Sequence, residues 1–108
     1  GYTVIWKGNG ERGRIESIND TFYAELRRIL DAAFEQSATG KGRERHATGE
    51  PWHKQPIVTI GREDRDFCTG QVREKCLEAK RLQKDAAVRE LLGAIVYLAA
   101  EIYIRENE

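Results

Sequence analysis

The spacing of apolar residues changes more than once along this 108-residue chain. At the start, "YTVIWK" (Tyr2–Lys7) is rich in β-formers, "GNGERG" supplies a turn, and "RIESI" alternates apolar with polar. That pattern predicts a β-hairpin over residues 1–18, an element that is marginal unless it packs on something. From Asn19 the period becomes helical. Phe22, Leu26, Ile29, Leu30, Ala33 and Phe34 recur at three- and four-residue intervals and predict a helix over 20–37. Asn19 or Asp20 can cap its start, and Gly40 can close its end.

Periodicity then lapses, and residues 40–69 read as a loop region. Within it "PIVTIGRE" supports two elements. Ile57-Val58-Thr59-Ile60 favours a strand, whereas Pro56 is well placed to open a helix. Helical spacing returns in "GQVREKCLEAKRLQ", which sets Val72, Cys76, Ala79 and Leu82 on one side, so Cys76 reads as a buried thiol. After "KD" a second helix runs from Asp85 to about Arg105. The short connection predicts an antiparallel helical hairpin over 70–105.

This last helix is apolar around most of its circumference, with Glu90, Ala94, Tyr97, Glu101 and Arg105 forming a wetter stripe. Glu101 and Arg105 then read as a surface i,i+4 pair. Gly93 with Ala94, and Ala99 with Ala100, would let another helix approach closely. Such a helix is either the centre of the domain or part of a homo-oligomer interface. The expected fold class is α+β, mostly α. A single domain would hold an N-terminal β-hairpin, one long helix, a functional loop and a C-terminal antiparallel helical hairpin.

Composition narrows the function. Eighteen basic residues balance eighteen acidic ones. A neutral chain speaks against a general nucleic-acid binder, whose affinity rests on excess Lys and Arg. The apolar run Leu91–Ile104 contains Glu101 and is shorter than the roughly 18 to 20 residues of a membrane span, so no membrane partner is expected. The opening "GYTVIWKG" has no basic region followed by an apolar run. Cys68 and Cys76 do not make a disulfide framework, so a reducing cytoplasm is the expected setting.

The rare residues gather in "GKGRERHATGEPWHKQP", Gly40 to Pro56. It holds both histidines, both prolines and one of the two tryptophans. Lys41, Arg43, Arg45 and Lys54 outweigh Glu44 and Glu50, so the segment is net basic within a neutral chain. Arg presents a planar fork of donors to oxyanions. Gly40, Gly42 and Gly49 let backbone N–H groups turn toward an anion. Trp52 suits stacking on a ring. His46 and His53 can donate to phosphate, and Gln55 can read a polar edge. The bland alternative is a solvated loop whose charges pair locally and whose Trp52 anchors to the core. No Walker or dinucleotide fingerprint is present.

Catalytic and metal constellations are weaker. "HAT" at His46 resembles one half of the paired His-x-Thr motifs of two-histidine phosphoesterases, but "HKQ" at His53 is no second copy. His46, His53, Cys68 and Cys76 are separated by six, fourteen and seven residues, unlike the tight ligand pairs of zinc modules. No metal, cofactor or catalytic residue is therefore expected. "REKCLEAKRL" and "RELLGAIVYLAAE" are similar to the all-helical MazG-like pyrophosphohydrolases. That family holds magnesium with an E-E-x-x-E set and a later E-x-x-D. Here Glu74 and Glu78 stand isolated, and Gly93 follows Glu90 where Asp would be needed.

The fuller resemblance covers roughly residues 37–105. "GKGRERHATGEPWHKQPI", "GQVREKCLEAKRL" and "RELLGAIVYLAAEIYI" together resemble a group of small phage and prophage proteins. Those carry a Gly-Lys-Gly-x-Glu-Arg-His segment, a Pro-aromatic-x-x-Gln-Pro segment and an apolar C-terminal helix. The resemblance implies a bacterial host cytoplasm and supplies no mechanism. It directs attention to Gly40, Lys41, Gly42, Glu44, Arg45 and His46, and to Pro51, Trp52, Gln55 and Pro56. The function expected is non-catalytic: sequestration of a phosphorylated, nucleotide-like ligand of host defence. Arg43, Arg45, His46 and Lys54 would hold phosphate, Trp52 would stack, and Gln55 would read polar groups, with Lys41 and His53 completing the expected ligand-binding set. Two alternatives stand beside it. One is an inhibitor that docks the same loop on a host defence protein, since Trp and Arg are also hot-spot residues. The other is a nucleotide hydrolase related to the all-helical pyrophosphohydrolases.

Overall fold

The computed structural model describes residues 20–39 and 49–108, and the backbone of 2–7 and 11–17. Among the described residues four helices form the body: α1 (Asp20–Ala38), α2 (Pro56–Glu63), α3 (Phe67–Ala79) and α4 (Lys84–Glu106). A single 3₁₀ turn, Trp52–Lys54, precedes α2. Long α1 has no Gly or Pro, and one of its last carbonyls is met twice from Thr39, whose N–H and Oγ1 both donate to Glu35 O (2.9 and 2.6 Å).

The α+β expectation is overturned. The body is 82% helical and holds no strand, so the fold is all-α. The backbone of Tyr2–Lys7 and Glu11–Ser17 pairs as a two-stranded ribbon. Two strands do not make a sheet layer for helices to cover. The 40–69 loop region is also corrected, because α2 and the first turn of α3 fall inside it.

At residues 57–62 the helix prevails. Pro56 occupies the first helical position, where its missing N–H costs nothing. The β-branched run is held helical by packing. Val58 is fully buried, and Gly61, one turn later, meets the next layer. A Cβ on Gly61 would lie 2.8 Å from both Cys68 Sγ and Ile104 Cδ1, so only glycine lets α2 come this close. Val58, Cys68, Ala100 and Ile104 make the innermost core, with Trp52, Ile57, Phe67, Tyr97 and Tyr103 packed around it.

Helices α3 and α4 run antiparallel, because their partners meet in reverse order. Phe67 stacks edge-on with Tyr97 at 5.7 Å, and Lys75 Nζ reaches Glu90 Oε2 at 3.4 Å. The helix approaching Gly93 is α3 of the same chain, whose Lys75 stem would lie 3.3 Å from a Cβ there.

The expected wet stripe of α4 is in fact its inner face. Ala94 and Glu101 are buried, Glu90 and Tyr97 half-buried, and Arg105 alone is exposed. Glu101 is 6% exposed and is no surface pair with Arg105. It accepts from Arg105 Nε (2.7 Å) and also from Arg65 Nη2 (3.1 Å). Arg65 further donates to Gly61 O (3.2 Å) and Glu108 Oε1 (2.8 Å), tying the α2–α3 link to the end of α4.

The cysteines are also corrected: Cys76 is exposed and Cys68 is the buried one. Loss of solvation pushes the Cys68 thiol up from its ordinary 9.0; the nearby Glu101 charge adds to this and Arg65 partly offsets it. In the unfolded chain this thiol ionises first. The stability gained by keeping it protonated is therefore full below pH 9.0 and falls as pH rises past that value. In the native protein a thiol reagent should modify Cys76 rapidly and Cys68 only on unfolding. Alkaline melts should show a loss of stability above about pH 9 that Cys68→Ala lacks. Two equally fast thiols would contradict this packing.

Candidate ligand-binding cleft

The C-terminal half of α1 leans on α4. Ala33 is buried at the contact, and Gln36 Nε2 donates to Arg89 O at 3.0 Å. The two helices then leave a cleft of about 950 Å³ between them. Leu30, Ala33 and Phe34 form one wall, and Ile95, Val96 and Ala99 the other. The remaining lining is more polar: Ser37 and Ala38 at the end of α1, then Gly49, Glu50, Trp52 and Gln55. This size and chemistry suit a small molecule with a flat apolar part.

The local sequence explains the polar end. Gly49 takes φ +82°, a left-handed turn that an L side chain resists. Pro51 then leads into the 3₁₀ turn, closed by Lys54 N–H and Gln55 N–H on Pro51 O and Trp52 O. The Gln55 side chain turns back, its Nε2 donating to Glu50 O at 3.0 Å. That bond fixes the amide at the cleft edge.

The predicted site residues divide into three groups. Trp52 and Gln55 line the cleft. Trp52 also packs on the core and meets Tyr103 edge-on, with ring centres 6.1 Å apart. His53 and Lys54 are exposed and outside the lining, and the His53 ring lies 5.7 Å from that of Tyr103. Lys41, Arg43, Arg45 and His46 lie outside the described residues. In the sequence they fall between Ala38 and Gly49, both of which line the cleft.

Sequence reasoning missed both apolar walls, because Leu30, Phe34, Ile95 and Val96 read as ordinary core or interface positions. The one available signal was excess. Leu30 and Phe34 follow Ile29 and Ala33, giving α1 a broader apolar face than one contact needs.

Among the described residues Glu50 is the one ionisable group in the lining, so the described walls suit a ring better than a phosphate. No group of three or more His, Cys, Asp or Glu among the described residues is placed to hold a metal ion. Nor is any described helix long and apolar enough to cross a membrane. Comparison with protein-family models, curated proteins and solved structures finds no match to this chain.

Proposed function

We propose that this chain binds and sequesters a phosphorylated, ring-bearing small molecule of nucleotide type, with the ring in the α1–α4 cleft. The observation that carries the reading is one of placement. An apolar cleft of ligand size is bordered by Trp52, and two of its rim residues, Ala38 and Gly49, flank the stretch holding Lys41, Arg43, Arg45 and His46. The apolar walls favour a ring by burial, and Trp52 offers it an aromatic edge or face. Ser37, Glu50 and Gln55 supply polar groups for its edge. The basic stretch supplies the charge that a phosphate requires. The resemblance of residues 37–105 to small phage proteins supports a setting in an infected bacterial cytoplasm, where removing a nucleotide signal would disarm host defence.

The test is a thermal-shift panel of mono-, di- and cyclic nucleotides and ADP-ribose derivatives, with and without magnesium. A ligand at 100 times its Kd adds about 2.7 kcal/mol, several degrees for a chain of this size. The expected result is a selective shift with the ligand recovered intact. Trp52→Ala should weaken binding about tenfold to hundredfold, in line with about 1–3 kcal/mol per stacked base, and Trp52→Phe should retain most of it. A shift with the ligand consumed would identify a hydrolase. No shift anywhere in the panel would sink the small-molecule reading and favour a protein-docking inhibitor.

A further inference from the structure

Among the described residues, ten of the twelve large apolar side chains exposed in the protomer lie on α1 and α4. We propose that this two-helix face is the interface between two copies of the chain. On α4, Val88, Leu91, Ile95, Leu98 and Ile102 are spaced three and four residues apart in turn, the repeat of a helix-packing seam. Ile95 lines the cleft, so this seam shares the cleft's side of α4. A neighbouring stripe, Ala94, Glu101 and Ile104, is already buried, with Glu101 tied to Arg65 and Ile104 packed in the core. On α1, every residue from Thr21 to Asp31 is exposed, with Phe22 at 78% and Leu26 at 53%. A helical stretch of that length gains little from propensity alone and needs a packing partner.

The size of the face says what covers it. Taking about 200 Å² for a fully exposed large side chain, the ten leave on the order of 1,000 Å² of apolar surface. Monomers rarely expose more than about 300–600 Å² in one patch, whereas a specific dimer buries about 800 Å² per partner. The protomer is also extended: its radius of gyration is 15.5 Å, against about 13 Å for a compact chain of this length. A second copy offers the same two helices, so a two-fold contact buries each face against its equal in a four-helix arrangement. With eighteen charges of each sign the copies have no net repulsion to overcome. Leu30 and Phe34, two of the ten, also line the cleft, so pairing would enclose its apolar walls and leave Ser37, Glu50 and Gln55 as the approach. That last step rests on the ligand reading above, and the pairing does not.

Light scattering on the size-exclusion peak of the full chain should give twice the 12.4 kDa of one protomer. Ile102→Glu and Leu26→Glu change side chains exposed in the protomer, so the helical circular dichroism should persist. Each should nevertheless weaken pairing by about a hundredfold or more, because an unpaired charge would be buried in the dimer. Hydrogen exchange across residues 21–31 should be slow in the wild type and fast in these variants. Leu77→Glu, on exposed α3, should remain a dimer. Variants that keep the dimer mass would overturn the assignment. A wild type of 12.4 kDa would also overturn it; if its 21–31 amides were protected, the chain itself would be covering the face.

Discussion

Ile104→Ala should remove about 2–5 kcal/mol of folding stability, the range for truncating a large aliphatic side chain in a rigid core. Ile104 is 1% exposed and is among the largest side chains this protein fully buries. Its fully buried neighbours are small: Val58, Cys68 and Ala100 in the core, and Gly61, where a Cβ would already be 2.8 Å from Ile104 Cδ1. Small residues on backbones this close have little reach with which to fill the gap, so most of the cavity cost remains. Ile104→Val should cost about 0.5–1.5 kcal/mol, and Leu77→Ala, 63% exposed, less than about 0.5 kcal/mol. Urea unfolding at one fixed protein concentration separates these values, since pairing of copies would otherwise enter the measurement. An Ile104→Ala loss no larger than that of Leu77→Ala would mean that the core lies elsewhere.

The same cluster shows why part of the fold was legible in the sequence and part was not. Local period placed α1 and most of α3 and α4, because those helices carry their apolar spacing in adjacent turns; the expected caps Asn19 and Gly40 lie outside the described residues. Residues 57–62 stayed open because two local rules conflict there. Pro56 starts a helix and Ile57-Val58-Thr59-Ile60 prefers a strand, and only contact with Cys68 and Ile104 decides between them. The inner face of α4 was misjudged for a related reason. A helix apolar all round does not declare which side is inward. Here the choice follows closeness of approach. Gly61, Cys68 and Ala100 let three backbones come close, and Ile104 fills the space between them. The bulky stripe of Val88, Leu91, Leu98 and Ile102 is left outside, although its residues are hydrophobic.

Reading the cleft met the same limit. Trp52 and Gln55 were recognisable by residue type within a basic, glycine-rich segment. Their partners Leu30, Phe34, Ile95 and Val96 come from helices far away in sequence, and no spacing rule joins them. Glu101 is the sharpest case. Its i,i+4 relation to Arg105 suggested a surface pair, but the contact that accompanies its burial comes from Arg65, 36 residues earlier. Composition gave no sign that Arg65, among eighteen basic residues, would be the one.

That difference between a surface pair and a buried carboxylate sets the second large effect. Glu101→Ala should cost about 1–3 kcal/mol. Removing one partner of a fully buried pair costs about 3–5 kcal/mol. Here the cost is lower because the Arg65 side chain is 37% exposed and that of Arg105 67%, so both can recover water. Arg65→Ala should cost nearly as much, since it strips Glu101 of its longer-range partner and also frees Gly61 O and Glu108. Arg105→Ala should cost less than about 1 kcal/mol, as for an ordinary exposed pair. The order Glu101 ≥ Arg65 > Arg105 is the result to look for, together with a coupling between Glu101 and Arg65 in a double-mutant cycle. Added salt should erode the Arg105 contribution first, because screening acts most on the more exposed partner. If all three substitutions fell within about 0.5 kcal/mol of the wild type, Glu101 would be a surface residue after all, and the packing of α4 against the α2–α3 link would have to be redrawn.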